Sequence, residues 1–186
     1  MRLLGLEPKI EEKVAISLIP HYQPNLEDHW HDYLTLDLMF RQALCPPIAE
    51  NDIPVLKGQI ERGRRANLLA YSDASIAGFR RMSFCGDTFS LGAIYVHPSF
   101  RNAACETNAE SWASSDGCPM LWQLMTKAGY IIGKRAGYST IKTVTHNDDG
   151  KITKKWAARR ISKWDQEAAQ SQSPEEFINF LVSTKS

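Results

Sequence analysis

Cys118 stands where a cysteine could do chemistry, immediately before a predicted helix. That helix begins near Pro119, a residue that suits a first helical turn. A helix N-terminus lowers the pKa of a nearby thiol, so Cys118 could act as a nucleophile or face a phosphate group. A plain buried cysteine is the competing interpretation. The remaining cysteines (Cys45, Cys85 and Cys105) form no CxxC pair and show no spacing typical of zinc.

Three histidines near the N-terminus form a second candidate group. His21, His29 and His31 lie close together, with Asp28 and Asp32 between them, and these are residue types that bind metals. However, His29 and His31 are two positions apart, which puts them on different faces of a helix. We therefore predict surface and capping roles for these histidines, and no metal site.

A basic run near the C-terminus could contact nucleic acid or an acidic partner. We predict that it lies on a helix over Ile152–Trp164, for which a solvated face is the ordinary interpretation. Trp112, in a polar stretch, could anchor a protein partner or pack back onto the domain. The basic residues of the run are Lys151, Lys154, Lys155, Arg159, Arg160 and Lys163, within residues 151–163.

The composition is that of a globular protein with one domain. The chain has 186 residues, of which 43% are hydrophobic and 23% charged. The formal net charge of +1 gives no strong field to attract nucleic acid or an acidic membrane. The first residues lack the apolar stretch of a signal peptide, and no run is long enough to span a membrane. We predict a cytoplasmic protein with reduced thiols.

The elements that would position these residues follow from hydrophobic spacing and from turn residues. An apolar run closed by Pro20 predicts a first strand or an extended entry segment, and two helical patterns follow it. Three short strands, a polar loop, a helix and another strand come next, and the chain ends in a basic helix and a short helix. The predicted strands are Val14–Ile19, Asn67–Tyr71, Ile76–Ser83, Thr88–His97 and Thr140–Thr145. The predicted helices are Pro24–Ala43, Ala49–Arg65, Pro119–Arg135, Ile152–Trp164 and Phe177–Val182, with the loop at 102–117.

One segment carries a family resemblance. The stretch LGAIYVHPSFRN ends a strand with Val96, His97 and Pro98, and Arg101 follows. This pattern, with the preceding hairpin and the following helix and strand, resembles the GNAT superfamily of N-acetyltransferases over about residues 66–160.

The resemblance implies an α/β fold in a single domain, 1–186. We expect a mixed twisted sheet of GNAT type, with helices on both faces and a non-standard helical C-terminus. A helical N-terminal part (1–65) would precede the acetyltransferase-like core (66–160), and a helical tail (161–186) would follow it.

The resemblance also implies a reaction, the transfer of an acetyl group from acetyl-CoA to an amine acceptor. Backbone groups of Ile94 and Val96 would bind the pantetheine arm as an added strand would. Arg101, Gly117 and Cys118 would lie near the phosphates, at a helix N-terminus. The reacting groups would lie in a cleft between Tyr95–His97 and Asn147, and these residues are the catalytic candidates. His97 could act there as a base or bond the nearby loop, and Tyr95 could line the cleft or belong to the core.

The sequence also departs from the family pattern. In the expected phosphate loop only Gly117 keeps its residue type, Asp116 adds a negative charge, and Pro119 removes a backbone donor. The strand at Phe89–Leu91 lacks the glutamate that serves many members as a base, and no tyrosine follows in the helix after Asn147. These departures leave an alternative open. The chain could be a catalytically degenerate relative with protein assembly partners, such as a bacteriophage virion component located inside the virion.

Overall fold

The computed structural model describes residues 14–44, 46–101, 105–107, 120–146, 152–158 and 175–185. Short 3-10 turns precede the first helix and follow the fourth strand. The strands are β1 (Val14–His21), β2 (Arg65–Ser72), β3 (Ser75–Cys85), β4 (Thr88–Val96), β5 (Cys105–Thr107), β6 (Thr140–His146) and β7 (Ile152–Ala158). The helices are α1 (Leu26–Ala43), α2 (Ile53–Glu61), α3 (Leu121–Arg135) and α4 (Glu175–Thr184).

All seven described strands form one mixed sheet in the order β5-β1-β2-β3-β4-β6-β7. Strands β1 to β4 form an antiparallel meander, because each pairs antiparallel with the next. The connection from β4 through α3 makes β6 parallel to β4, and β7 returns antiparallel to β6. The predicted strand–helix–strand unit is therefore confirmed, as is the mixed sheet.

Helices cover both faces of the sheet, as predicted. On β2, Leu68 and Ala70 join the core beneath α3, whereas Leu69 and Tyr71 join an aromatic core beneath α1. A strand that is buried on both faces reads as a continuous apolar run, which explains the sequence NLLAY. The C-terminal helix α4 adds Phe177 to the α3-side core.

The predicted basic helix over Ile152–Trp164 is wrong at its start. Residues Ile152–Ala158 form strand β7, in which Trp156 is paired with Val144 of β6. Ile152 and Trp156 are four positions apart, a spacing that also puts them on one face of a strand. The β-branched start Ile152-Thr153 and the pairing with β6 decide in favour of the strand. The basic residues among 152–158 therefore do not lie on a helix.

Two other boundaries differ from the sequence prediction. The predicted loop 102–117 contains strand β5, which pairs in parallel with Val14–Ile16 at the free edge of β1. The second helix is shorter than predicted and covers Ile53–Glu61, and Arg65 already starts β2. Both differences come from pairing with distant segments, which local periodicity does not record. The predicted helical tail is described at Glu175–Thr184, and residues 159–174 lie outside the described residues.

Candidate functional site

The pairing between strands β4 and β6 ends half-way along β4. They are paired in parallel from Thr88 opposite Thr140 to Leu91 opposite Thr143, and the pairing stops there. Beyond Thr143, β6 is paired with β7, and β4 runs on to Val96 along β3. Residues 92–96 of β4 therefore have a side on which no described strand pairs with them. Open strand edges present backbone donors and acceptors to a ligand or another strand.

A β-bulge lies at the point where β4 leaves β6. In the β3–β4 register, Arg80 is opposite Ile94 and Met82 is opposite Leu91, so Gly92 and Ala93 together face Arg81. An extra residue of this kind bends a strand and increases its twist. It also shifts the alternation of side chains. Leu91 and Ile94 consequently both belong to the core beneath α3. The bulge thus accounts for the divergence of β4 from β6.

The first turn of α3 packs against the end of β4. Gly78 of β3 is opposite Val96, and a Cβ atom built at Gly78 would lie 2.9 Å from the carbonyl oxygen of Tyr95 and 3.4 Å from Cδ2 of Leu121. Glycine is required at this contact because a larger residue would push the helix away. The free N–H groups at a helix N-terminus and the helix dipole favour anions. An open strand edge and a helix N-terminus therefore meet at one end of the sheet.

The predicted cofactor residues Ile94 and Val96 lie on the open stretch of β4. Their side chains are buried in the core beneath α3, which leaves only their backbone groups for the edge. Arg101 donates from Nε to the carbonyl oxygen of Val96 at 3.1 Å. Its guanidinium group also lies 5.4 Å from the ring centroid of Tyr95. Arg101 is exposed, and it occupies the end of the edge on which a cofactor would lie.

The two described catalytic candidates differ in accessibility. The ring of Tyr95 is buried beneath α1, against Phe40 and Phe79. His97 follows β4, is half-buried, and accepts a hydrogen bond at Nδ1 from the backbone N–H of Ser99 at 3.3 Å. In a neutral imidazole the other ring nitrogen, Nε2, then carries the proton. This arrangement makes His97 a donor at Nε2 while it caps the 3-10 turn.

The other predicted site residues are not among the described ones. Gly117 and Cys118 fall in 108–119, as do Asp116 and Trp112, and Asn147 falls in 147–151. Their assignments to the phosphates, to catalysis and to a partner surface stay predictions.

A buried ionic network beneath α1 is absent from the sequence predictions. Asp37 accepts from Nε of Arg41 at 2.7 Å with one oxygen and from Nη2 of Arg81 with the other. Arg81 also donates from Nε to the hydroxyl of Tyr33 at 3.0 Å, and Arg41 continues to Asp52. The carboxylate of Asp37 is 1% exposed, so its charge depends on these two arginines. The spacing of Asp37 and Arg41 on one helix was the available signal.

The histidines near the N-terminus have separate partners. His21 is fully buried, with Nε2 2.9 Å from the carbonyl oxygen of Leu26 and Nδ1 3.2 Å from Nδ2 of Asn67. Burial lowers the pKa of His21 to about 4. His29 contacts the hydroxyl of Tyr71, which donates to Asp32 at 2.8 Å, and burial together with this carboxylate raises the pKa of Tyr71. Within the described ranges no three metal-binding side chains cluster.

The chain is similar to several solved structures. No family model matches the chain, and no curated protein matches it. Among solved structures, it is similar to AAC(6')-Iy in complex with the bisubstrate analogue CoA-S-monomethyl-acetylneamine (16% identity, TM-score 0.49, 72% of this chain and 82% of that one). It is similar to the PaiA N-acetyltransferase of Thermoplasma acidophilum in complex with coenzyme A (14% identity, TM-score 0.44, 72% and 80%). It is also similar to an acetyltransferase of the GNAT family from Staphylococcus aureus Mu50 (14% identity, TM-score 0.45, 70% and 73%).

These matches all have TM-scores below 0.5, and one of them is an acetyltransferase of the GNAT family, which the sequence resembles. At these identities and TM-scores, the likeness assigns no role to any residue of this chain. Among the helices that the structure describes, none has the length and apolarity needed to cross a membrane.

Proposed function

We propose that this chain binds an acyl-CoA along the open edge of β4 and transfers the acyl group, such as acetyl, to an amine. The observation that carries the proposal is the divergence of β4 from β6 after Leu91, which leaves residues 92–96 with a side on which no described strand pairs with them. The pantetheine arm of coenzyme A contains two amide groups. Such a chain pairs with a strand edge by the hydrogen bonds that join two strands.

The end of this edge is suited to the phosphates of the same molecule. The N-terminus of α3 lies against the end of β4, and helix N-termini stabilise negative charge. The exposed side chain of Arg101 lies beside Val96 and adds a positive charge there. In the proposed complex the Nη groups of Arg101 pair with a phosphate through charge-assisted hydrogen bonds, while Nε can keep its bond to the Val96 carbonyl.

The reaction requires a nucleophilic amine and a leaving thiolate. The amine nitrogen attacks the carbonyl carbon of the thioester, the C–S bond breaks, and the proton lost by the amine ends on the sulfur. His97 follows the open edge and carries its proton on Nε2 while Nδ1 accepts from Ser99. We assign His97 a hydrogen bond from Nε2–H to the departing sulfur, which stabilises the thiolate, while the proton lost by the amine reaches the sulfur through solvent. Asn147 stays a candidate for orienting the acceptor amine.

A calorimetric titration with acetyl-CoA tests the proposal, together with a thermal shift. A ligand that binds only the native state stabilises it, by about 2.7 kcal/mol at a concentration of 100 Kd. We expect a saturable heat of binding and a higher Tm, followed by release of free thiol when an amine is added. No binding at millimolar acetyl-CoA would overturn the proposal.

A second candidate is a non-catalytic relative with a binding or assembly role, of which a virion component is one form. Strand β4 contains no carboxylate from Thr88 to Val96. The nearest acid, Asp87, has an 80% exposed side chain whose oxygen lies 3.8 Å from Nζ of Lys185. This candidate predicts acetyl-CoA binding without thiol release, or no binding, together with large particles in light scattering. A monomer that turns over an amine would exclude it.

A further inference from the structure

Two consecutive arginines of β3 lie on opposite faces of the sheet at the bulge. Arg81 is the residue that faces both Gly92 and Ala93, and Arg80 is its neighbour opposite Ile94. Successive side chains of a strand point to opposite faces. Arg81 accordingly contacts α1, and Arg80 interacts with Tyr130 of α3. The bulge therefore has one guanidinium group on the α1 face of the sheet and another on the α3 face.

On the α1 face, Arg81 is held from three sides. Its guanidinium group donates to Asp37 and to the hydroxyl of Tyr33, and it lies 5.7 Å from the ring centroids of both Phe40 and Phe79. The side chain is 16% exposed. These contacts tie the strand position opposite the bulge to α1. Without these contacts, the position of Arg81 opposite Gly92 and Ala93 would not be fixed relative to α1.

On the α3 face, Arg80 binds the residue at which the β4–β6 pairing ends. Its Nη2 donates to the carbonyl oxygen of Leu91 at 3.3 Å, and Leu91 is the last residue of β4 in register with β6. Arg80 is 0% exposed, and burial lowers its pKa to about 10, so it remains a cation at neutral pH. Burying a charge is costly, and an apolar residue would serve the core better. Its bond to the carbonyl of Leu91 connects this buried charge to the backbone at the bulge.

We propose that Arg80 and Arg81 are positioning residues that clamp the β4 bulge from the two faces of the sheet and hold its edge open for the acyl-CoA. The binding of acyl-CoA at the open edge rests on the proposed function. The effect of the two arginines on the conformation of β4 does not depend on it. Neither arginine needs to touch the acyl group, since both act through the backbone of Leu91–Ala93.

The test compares the full-length wild type with Arg81→Met and Arg80→Met, and uses Arg64→Met as the control. Arg64 is exposed and immediately precedes β2, so its replacement removes the same charge without touching the bulge. The readouts are the backbone chemical shifts of Gly92 and Ala93 and the Kd for acetyl-CoA, both measured well below the Tm. A merely structural role would lower the Tm and leave both readouts unchanged. We expect altered shifts at residues 92–96 and a Kd weakened by about tenfold in each clamp variant.

Wild-type shifts at Gly92 and Ala93 in a folded Arg81→Met or Arg80→Met protein would overturn the clamp. If these variants do not fold, Tyr33→Phe replaces them. That change removes only the hydroxyl that accepts from Arg81. Moved shifts at Gly92 and Ala93 in Tyr33→Phe support the clamp, and unmoved shifts refute it. If the wild type binds no acetyl-CoA, the proposed function fails, but the chemical shifts still decide whether the arginines hold the bulge.

Discussion

Arg101 donates from Nε to the carbonyl oxygen of Val96 at 3.1 Å, and so closes the end of the strand whose edge is otherwise open. The same side chain was expected to bind phosphate. The two roles are compatible, because the bond to the carbonyl uses Nε, whereas the Nη groups of the same guanidinium group can donate to a phosphate. Arg101 therefore links the end of β4 to the proposed phosphate site.

Replacing Arg101 with alanine should weaken acetyl-CoA binding. A charge-assisted bond to phosphate contributes about 1.5–3 kcal/mol, so the Kd should rise about tenfold or more. The Tm without ligand should change little, because the side chain is exposed. Isothermal titration calorimetry measures the effect, with Arg64→Ala as the matched control. An unchanged Kd in Arg101→Ala would remove Arg101 from the binding site.

Replacing Gly78 with alanine should destabilise the protein. The new Cβ would lie 2.9 Å from the Tyr95 carbonyl and 3.0 Å from Cε of Met125, so the end of β4 or α3 must move. Overpacking of this kind costs about 1–3 kcal/mol. Gly92→Ala is the control, since its Cβ would meet Arg81 at an ordinary 3.5 Å. Urea unfolding of the two variants should separate them, and equal stabilities would contradict the close contact.

Stability should fall as the pH drops from about 6.5 towards about 4, because of His21. Its pKa is lower in the folded chain than in the unfolded chain. The unfolded state therefore binds the proton first as the pH falls, which favours unfolding. The shift corresponds to about 3 kcal/mol when integrated over this window.

Urea unfolding between pH 7.5 and 4.5 checks this prediction. His21→Gln removes the titrating group, so its stability should depend less on pH over the window than that of the wild type. The carboxylates and the other histidines are the same in both proteins, so their contributions to the pH dependence cancel in the comparison. Parallel curves for the two proteins would show that His21 titrates normally in the fold.

Replacing Asp37 with asparagine should be strongly destabilising. The change leaves Arg41 and Arg81 without their shared carboxylate beneath α1. Breaking a buried pair by removing one partner costs about 3–5 kcal/mol. Glu175→Gln is the control, because Glu175 is 61% exposed in its pair with Arg135. A loss of stability no larger than in the control would contradict a buried network.

The sequence predicted the core of the fold where local signals were strong. Periodicity indicated α1 and α3, and turn residues indicated the β2–β3 hairpin. It failed at Ile152–Ala158, where an apolar spacing of four suited helix and strand alike, and at β5, which exists through pairing with β1.

The sequence suggested where to look for a site but not its geometry. The pattern around Val96 and Arg101 indicated the strand end at which we propose the acyl-CoA site. The bulge at Gly92–Ala93 depends on which β3 residue faces them, and no single-strand pattern records that register. Arg80 and Arg81 were not among the predicted site residues, and Arg80 is fully buried because both faces of β3 are covered by helices.

The most direct test of the central claim is a titration of the 15N-labelled protein with acetyl-CoA, followed through its backbone amide signals. An acyl-CoA paired with the open edge of β4 should shift the amides of residues 92–96 saturably, with the same Kd as calorimetry. The amide signal of Gly86, in the β3–β4 turn at the other end of β4, should not shift. The absence of a saturable shift at residues 92–96 at millimolar acetyl-CoA would contradict the account.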